Sequence, residues 1–143
     1  GAFHDSGERF DPPRCHPNTR TAVIQRIMDW VHCDDLATQQ VFILWLHGAA
    51  GAGKSAIAQT IAELCYAQGI LLSSFFFSRE DLKRNHPRAL FPTISYQMAL
   101  EIPQLRERLA CILERDPLLL TRSLSAQFFS LVVQPIKDLY ASG

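Results

Sequence analysis

The chain has 143 residues, of which 48% are hydrophobic and 20% charged, a balance typical of a globular domain and not of a disordered segment. Its 14 basic and 14 acidic residues cancel, which argues against the basic excess of a nucleic-acid-binding domain. No apolar run approaches the about 20 residues that cross a membrane. The polar stretch Gly1–Phe10 does not resemble a signal peptide. We therefore expect a cytoplasmic protein that binds neither nucleic acid nor membranes.

Residues 1–17 are predicted to be an extended lead-in, because Pro12, Pro13 and Pro17 oppose helix formation. Residues 18–143 are predicted to be the N-terminal part of a single domain. The chain begins with glycine and not methionine, so we expect a fragment of a longer protein.

The four cysteines, at positions 15, 33, 65 and 111, form no C-x-x-C pair, which favours reduced thiols in an intracellular protein. A zinc site built from Cys15-His16 and His32-Cys33 is the alternative, although this spacing matches no zinc-finger pattern. Cys65 falls on the apolar face of a predicted helix, so we expect one buried thiol and three incidental ones.

A first helix is predicted to begin near Asn18 or Thr19, both acceptable N-cap residues. Its apolar stripe repeats at helical spacing and consists of Val23, Ile24, Ile27, Met28 and Val31. Residues 41–46 then form a continuous apolar run, Val-Phe-Ile-Leu-Trp-Leu, that predicts a buried parallel strand. A second helix is predicted over 53–68, with Gly69 ending it.

Between this strand and this helix, residues 48–55 read Gly-Ala-Ala-Gly-Ala-Gly-Lys-Ser and match the G-x-x-x-x-G-K-[ST] pattern of the Walker A motif, or P-loop. Glycines allow positive φ and a close approach of the backbone to a ligand, so successive amides can converge on an anion. The start of the following helix adds unpaired amides and the positive end of its dipole. The motif predicts that Lys54 reaches the β- and γ-phosphates and that the Ser55 hydroxyl ligates Mg²⁺.

The sequence therefore predicts a site for ATP or GTP with Mg²⁺, in which Lys54 is the candidate catalytic residue. No base contact can be assigned, so the choice between the two nucleotides stays open. The predicted binding residues of the loop are Gly48, Ala49, Ala50, Gly51, Ala52, Gly53, Lys54, Ser55 and Ala56.

A second apolar run, residues 70–77, predicts another strand that is buried on both faces. Strand, glycine loop, helix and strand together predict an α/β fold, that of a P-loop NTPase with a parallel sheet flanked by helices. Two parallel strands are too few for a stable sheet, so we expect the remaining strands to lie outside these 143 residues. The chain would then be only the N-terminal part of the domain.

The charged stretch 78–88 is predicted to be a solvated loop, because acidic residues are mixed with the basic ones. The second half of the chain is predicted to be helix-rich, with one helix from about Leu90, another starting at Pro103, and a last one bent by Pro135. The apolar faces are Ile94, Met98 and Leu100 in the first, Leu105, Leu109, Ile112 and Leu113 in the second, and Phe128, Leu131, Val132, Ile136 and Leu139 in the last.

Hydrolysis would need a second metal ligand besides Ser55, namely the carboxylate of a Walker B aspartate at the end of a later strand. Asp81 follows the second apolar run but lies within a charged loop, and Asp138 follows a segment interrupted by Pro135. The binding half of an NTPase site is thus expected here, and the catalytic half is expected to be absent.

These residues resemble the NACHT-type NTPase module of fungal STAND proteins, also described as nephrocystin-three-like N-terminal domains. The resemblance covers nearly the whole chain. It is carried by Cys-His-Pro-Asn-Thr-Arg over 15–20 with Trp30, GAAGAGKSAIAQ over 48–59, Ser-Phe-Phe-Phe-Ser-Arg over 74–79, and Leu-Phe-Pro-Thr-Ile over 90–94 with Gln97.

The resemblance implies a signalling switch, with an effector domain before the module and often a repeat array after it. Nucleotide exchange or hydrolysis would drive self-association or contacts with other domains of the same chain. It also implies a Walker B strand just after Tyr140, and contacts of Thr19 and Arg20 with the nucleotide base. An N-cap and an exposed charge are the alternative roles of this pair.

Two other functions remain open at this point. A small P-loop kinase is compatible with the size of the chain, and Arg79, Lys83, Arg84 and Arg88 would be its candidate lid residues. A nucleotide-independent interaction domain would suit the many apolar helix faces of the second half.

Overall fold

The computed structural model describes residues 13–16, 18–34, 37 and 39–141. The described residues up to Leu71 form one compact unit, the N-terminal unit, and those from Leu72 onward form another, the C-terminal unit. Most of the predicted lead-in, 1–17, lies outside the described residues, and 13–16 have neither helix nor strand.

The N-terminal unit is built on two helices, α1 (Thr21–His32) and α2 (Lys54–Ala67), which contact each other. Both predicted helices are confirmed. Ile27 and Met28, from the predicted stripe of α1, are buried. The buried apolar residues of α2 are Ile57, Ala62 and Cys65, of which Cys65 was predicted to lie on its apolar face. Burial also raises the pKa of the Cys65 thiol above its ordinary value.

The ends of these helices follow local backbone chemistry. Helix α1 begins later than predicted: its N-cap is Arg20, in the left-handed conformation with φ 56°, and no side chain caps it. Thr19 does not serve as the cap, because its hydroxyl donates to the His16 carbonyl oxygen at 2.7 Å. Helix α2 ends as predicted. Gly69 follows it with φ 69° and donates its amide to the Tyr66 carbonyl oxygen at 2.9 Å.

The C-terminal unit is helical, as predicted for the second half of the chain. A 3-10 turn, Pro87–Ala89, leads into α3 (Leu90–Glu101), which is followed by α4 (Pro103–Arg115) and a second 3-10 turn, Leu119–Thr121. Helix α5 (Leu124–Phe128), a π-helical turn (Phe129–Val133) and α6 (Gln134–Ala141) then run on without interruption. The buried core of the unit consists of Met98, Leu105, Leu109, Leu119 and Leu131.

Two prolines, Pro103 and Pro135, lie near the starts of helices. Pro103 occupies the first turn of α4, as predicted, where an amide would have no intrahelical partner. Pro135 is the second residue of α6, which begins immediately after the π-helical turn. A proline cannot donate to the carbonyl four residues before it, and a π-turn is one way in which a helix accommodates such a break. None of the described helices is long and apolar enough to cross a membrane.

The predicted parallel sheet is wrong. No strand occurs among the described residues, and both apolar runs, 41–46 and 70–77, are irregular. A strand exists only through hydrogen bonds to a neighbouring strand, and side chains make such bonds here instead. The Trp30 indole donates to the Val41 carbonyl oxygen at 2.7 Å. The Gln97 amide accepts from the Ser74 backbone N–H at 3.0 Å and donates to the Ser74 carbonyl oxygen at 2.9 Å.

The predicted burial of the first apolar run is wrong as well. Phe42, Ile43 and Trp45 are more than three-quarters exposed, at 87, 80 and 82%. A continuous apolar run indicates burial on two faces only when other elements cover both faces, and no sheet neighbour flanks this run among the described residues. In the second run, Phe77 is also exposed.

Candidate functional site

The glycine loop of the N-terminal unit adopts the backbone geometry that its motif predicts. Gly51 has φ 76° and Gly53 has φ 78°, both in the left-handed region that disfavours side chains. Gly53 is also the N-cap of α2, so the loop leads directly into the first turn of that helix. These two glycines allow the backbone to turn back on itself within a few residues.

Lys54 closes this loop on itself. Its ammonium donates to the carbonyl oxygens of Gly48 and Ala49, both at 2.8 Å. An ammonium carries three donors, so two hold the loop and one remains for an anion. The positive charge therefore lies against the loop.

Three backbone amides at the start of α2 have no intrahelical partner. The first helical bond of α2 is donated by Ile57 to the Gly53 carbonyl oxygen at 3.0 Å, and no side chain caps the helix. The amides of Lys54, Ser55 and Ala56 precede it and are the unpaired donors found at every helix start. The Ala52 amide, by contrast, donates to Ala49 within the loop at 3.2 Å. Only part of the predicted row of amides is therefore open to a ligand.

Arg20 brings a second cation to this loop. A Cβ added to Gly53 would overlap the Arg20 guanidinium, so that guanidinium packs directly on the Gly53 backbone. The left-handed backbone of Arg20, unusual for a residue with a side chain, is part of the turn that precedes α1. Thr19 lies beside it, but its hydroxyl is used within the turn.

A network missed by sequence reasoning attaches the segment before α1 to the middle of α2. Arg14 donates to the Glu63 carboxylate at 2.8 Å, and Gln59 donates to the same oxygen at 2.7 Å. The Cys15 amide donates to the Thr60 hydroxyl at 3.3 Å. No sequence pattern could indicate these pairs, because their partners are far apart in the chain.

Candidate metal ligands are few. Ser55 is exposed at the first turn of α2, where its hydroxyl can reach a metal bound to phosphate. No group of three His, Cys, Asp or Glu side chains suited to a metal occurs in the described part of the chain. The zinc alternative, with Cys15-His16 and His32-Cys33, thus gains no support, and all four cysteines are free thiols.

Asp81, the candidate Walker B residue, lies in the C-terminal unit and is already engaged in a local turn. Its carboxylate accepts from the Arg84 guanidinium at 2.6 Å and from the Lys83 amide at 2.8 Å. The Arg84 hydrogen bond, followed by that of the Lys83 backbone, lowers the pKa of Asp81. Both carboxylate oxygens of Asp81 thus accept hydrogen bonds within this turn, and a metal would have to compete for them.

The residues of the loop fit a phosphate group. Two cations, three unpaired amides and a hydroxyl meet at one helix start, and the close contact of Arg20 with Gly53 leaves no room for a Cβ. Such a donor set matches the oxygens of a polyphosphate. It offers Mg²⁺ one protein oxygen, that of Ser55, and Mg²⁺ commonly keeps water and phosphate oxygens as its other ligands.

Fold and loop together define a helical protein with a glycine turn at the start of α2. A family model described as nephrocystin 3, N-terminal, matches residues 21–141, which include both helical units and the loop. The chain belongs to the nephrocystin 3 N-terminal family. Neither a curated protein nor a solved structure matches it.

Proposed function

We propose that the chain is the nucleotide-binding module of a STAND-type signalling NTPase, of the NACHT kind found in fungal proteins, and that residues 48–56 bind the phosphates of ATP or GTP. One observation carries the proposal: the Lys54 ammonium and the Arg20 guanidinium meet the loop where the unpaired amides of α2 begin. Two cations beside a helix start favour a multiply charged anion over a single carboxylate.

Each residue then has a separate task. The amides of Lys54, Ser55 and Ala56 donate to the terminal phosphate oxygens, and Gly51 and Gly53 allow those oxygens to approach the backbone. Lys54 neutralises part of the phosphate charge, and Arg20 supports it from the other side of Gly53. A bound Mg²⁺ would neutralise further charge, with Ser55 as its protein ligand.

The proposed activity is binding and switching. No residue of this segment is proposed as the Walker B carboxylate that hydrolysis would need, because the carboxylate of the candidate, Asp81, is hydrogen-bonded by Arg84 and Lys83. We propose a cytoplasmic protein in which bound nucleotide controls self-association or contacts with other domains of the same chain. Neutral overall charge is consistent with partners other than nucleic acid or membranes.

A titration with a fluorescent ATP analogue and Mg²⁺ tests the proposal. Lys54→Ala is expected to weaken binding by about tenfold or more, because a charge-assisted contact to phosphate is lost. Lys137→Ala removes an exposed lysine from α6 and is the matched control, with affinity expected within about twofold of the parent. Unchanged affinity in Lys54→Ala, with a parent-like circular dichroism spectrum, would refute the proposal.

A further inference from the structure

The C-terminal unit contains an open cavity of about 480 Å³ that shares no residue with the glycine loop. One wall is the turn before α3, with His86, Pro87 and Arg88, and the other is the turn that leads into α5, including Leu120, Arg122 and Gln127. The volume lies in the range of pockets that hold small organic molecules.

The charged side chains of this cavity are basic. Arg88 and Arg122 line it, and none of the described lining residues is acidic. Arg122 is paired with the Asp116 carboxylate at 2.6 Å through Nε, which leaves the outer nitrogens of its guanidinium for a ligand. The Arg88 backbone amide donates to His86 Nδ1 at 3.2 Å, so Nε2 of that ring carries the proton and is a further donor.

Gln127 makes the second wall suitable for an anion. Its Nε2 donates to the carbonyl oxygens of Leu120 at 3.2 Å and Arg122 at 2.9 Å. Both bonds fix the orientation of the amide, since the flipped form would set its oxygen against two carbonyls. Two acceptors that would repel an anion are thereby occupied. The Oε1 atom of the same amide is buried without a hydrogen-bond partner among the described residues.

Part of the lining is apolar. Pro87, Leu120 and Leu124 contribute hydrocarbon surface beside the two guanidinium groups. An inorganic anion would leave this surface exposed to water, whereas an anion with an apolar body would cover it. Planar guanidinium groups match phosphate oxygens especially well.

We propose that this cavity binds a small phosphate monoester with an apolar body. Arg88 and Arg122 hold the phosphate from the two walls, His86 donates a further hydrogen bond, and the prolyl and leucyl surfaces contact the body. The proposed site is distinct from the glycine loop, with which it shares no residue.

Residue-resolved NMR of the whole chain, titrated with phenyl phosphate, tests the proposal. Saturable shifts are expected at the amides of Arg88 and residues 121–124, with an affinity in the millimolar range or better, tighter than about 10 mM. Phenol and benzoate are the companion probes, and both are expected to bind at least about fivefold more weakly because they lack the dianion. Shifts confined to the amides of 51–56 would report the glycine loop alone and would overturn the proposal.

Two variants and one matched control complete the test. Arg88→Gln and Arg122→Gln are each expected to weaken phenyl phosphate binding about tenfold, while the spectrum elsewhere stays that of the folded parent. Arg106→Gln removes an arginine from the exposed face of α4 and is expected to change affinity by less than about twofold. Equal binding by both cavity variants and the parent, or benzoate binding as tight as phenyl phosphate, would overturn the assignment.

Discussion

At the residue scale, the glycine loop depends on a contact between Arg20 and Gly53. Both residues have left-handed backbones, and the guanidinium of one occupies the space that a side chain on the other would need. The cost of the Arg20 conformation, about 1–2 kcal/mol, is consistent with a functional constraint on that residue. The guanidinium thereby lies next to the unpaired amides of α2.

Gly53→Ala is expected to lower nucleotide affinity, because the new methyl group displaces the Arg20 guanidinium. Gly69→Ala is the matched control: its φ of 69° imposes a similar backbone cost of about 1–2 kcal/mol, but the new Cβ meets no atom within 4 Å. Urea denaturation should give similar losses of stability for both, while fluorescent ATP titration separates them. Parent-like affinity in Gly53→Ala would contradict this role of Arg20. The double variant Arg20→Ala, Gly53→Ala should lose less affinity than the sum of the single effects.

Asp81, which accepts hydrogen bonds from Lys83 and Arg84, is expected to make the free energy of unfolding depend on pH. The native pKa of this carboxyl is lowered from 3.8, chiefly by the Arg84 hydrogen bond, so the native state binds its proton at lower pH than the unfolded chain does. The stabilisation that the ionised Asp81 carboxylate contributes is therefore complete above its pKa in the unfolded chain. It is lost as the pH falls through its pKa in the native state. Urea unfolding measured from about pH 6 down to about pH 3 should show a shallower decline for Asp81→Asn than for the parent. Parallel pH profiles would show that the Asp81 bond adds nothing to stability.

At the element scale, the helices of the C-terminal unit are held by one face each. Leu105 on α4 is completely buried at 0% exposure, while Leu113 on the same helix is 39% exposed. Their shared sequence pattern predicts burial of both, but the neighbouring elements cover only one. Tertiary packing thus buries Leu105 and leaves Leu113 partly exposed, although both share the helical spacing of apolar residues.

Leu105→Ala is expected to lower the free energy of unfolding by about 2–5 kcal/mol, because it leaves a cavity among Met98, Leu119 and Leu131. Leu113→Ala on the same helix should cost well under half as much, since water already reaches that side chain. Urea denaturation measures the loss of stability in both variants, with unfolding followed by circular dichroism at about 222 nm, where the signal reports helix content. Equal losses for the two variants would mean that the core described for this unit is wrong.

At the scale of the whole molecule, the sequence predicted the helices, whose signals are local. It failed for the strands, which require a neighbouring strand. Helices α1 to α4 follow from apolar spacing, from Pro103 and from Gly69, all of which act within a few residues. The runs 41–46 and 70–77 have strand-like composition but lack a neighbouring strand among the described residues, so no sheet forms. Strand-like composition allows a segment to form a strand, but it does not show whether a neighbouring strand is present to pair with it.

The two proposed binding sites differ in how much of each could be predicted from the sequence. The positive φ values of Gly51 and Gly53 follow from the motif. The family resemblance implied a contact of Arg20 with the nucleotide base and did not predict its contact with Gly53. The cavity of the C-terminal unit was not predicted, because Arg88 and Arg122 are far apart in sequence and belong to no linear motif. Arg88 was expected in a solvated loop or a kinase-like lid, and the fold brings it to a cavity wall instead.

The central claim is that the loop recognises a polyphosphate tail, and competition for a bound fluorescent ATP analogue tests it most directly. Tripolyphosphate is expected to displace the analogue, because the contacts proposed for the amides of Lys54, Ser55 and Ala56 and for the charges of Lys54 and Arg20 are all with phosphate. Adenosine and guanosine, which lack phosphate, are expected to compete at least about tenfold more weakly. Displacement by a nucleoside but not by tripolyphosphate would contradict the account.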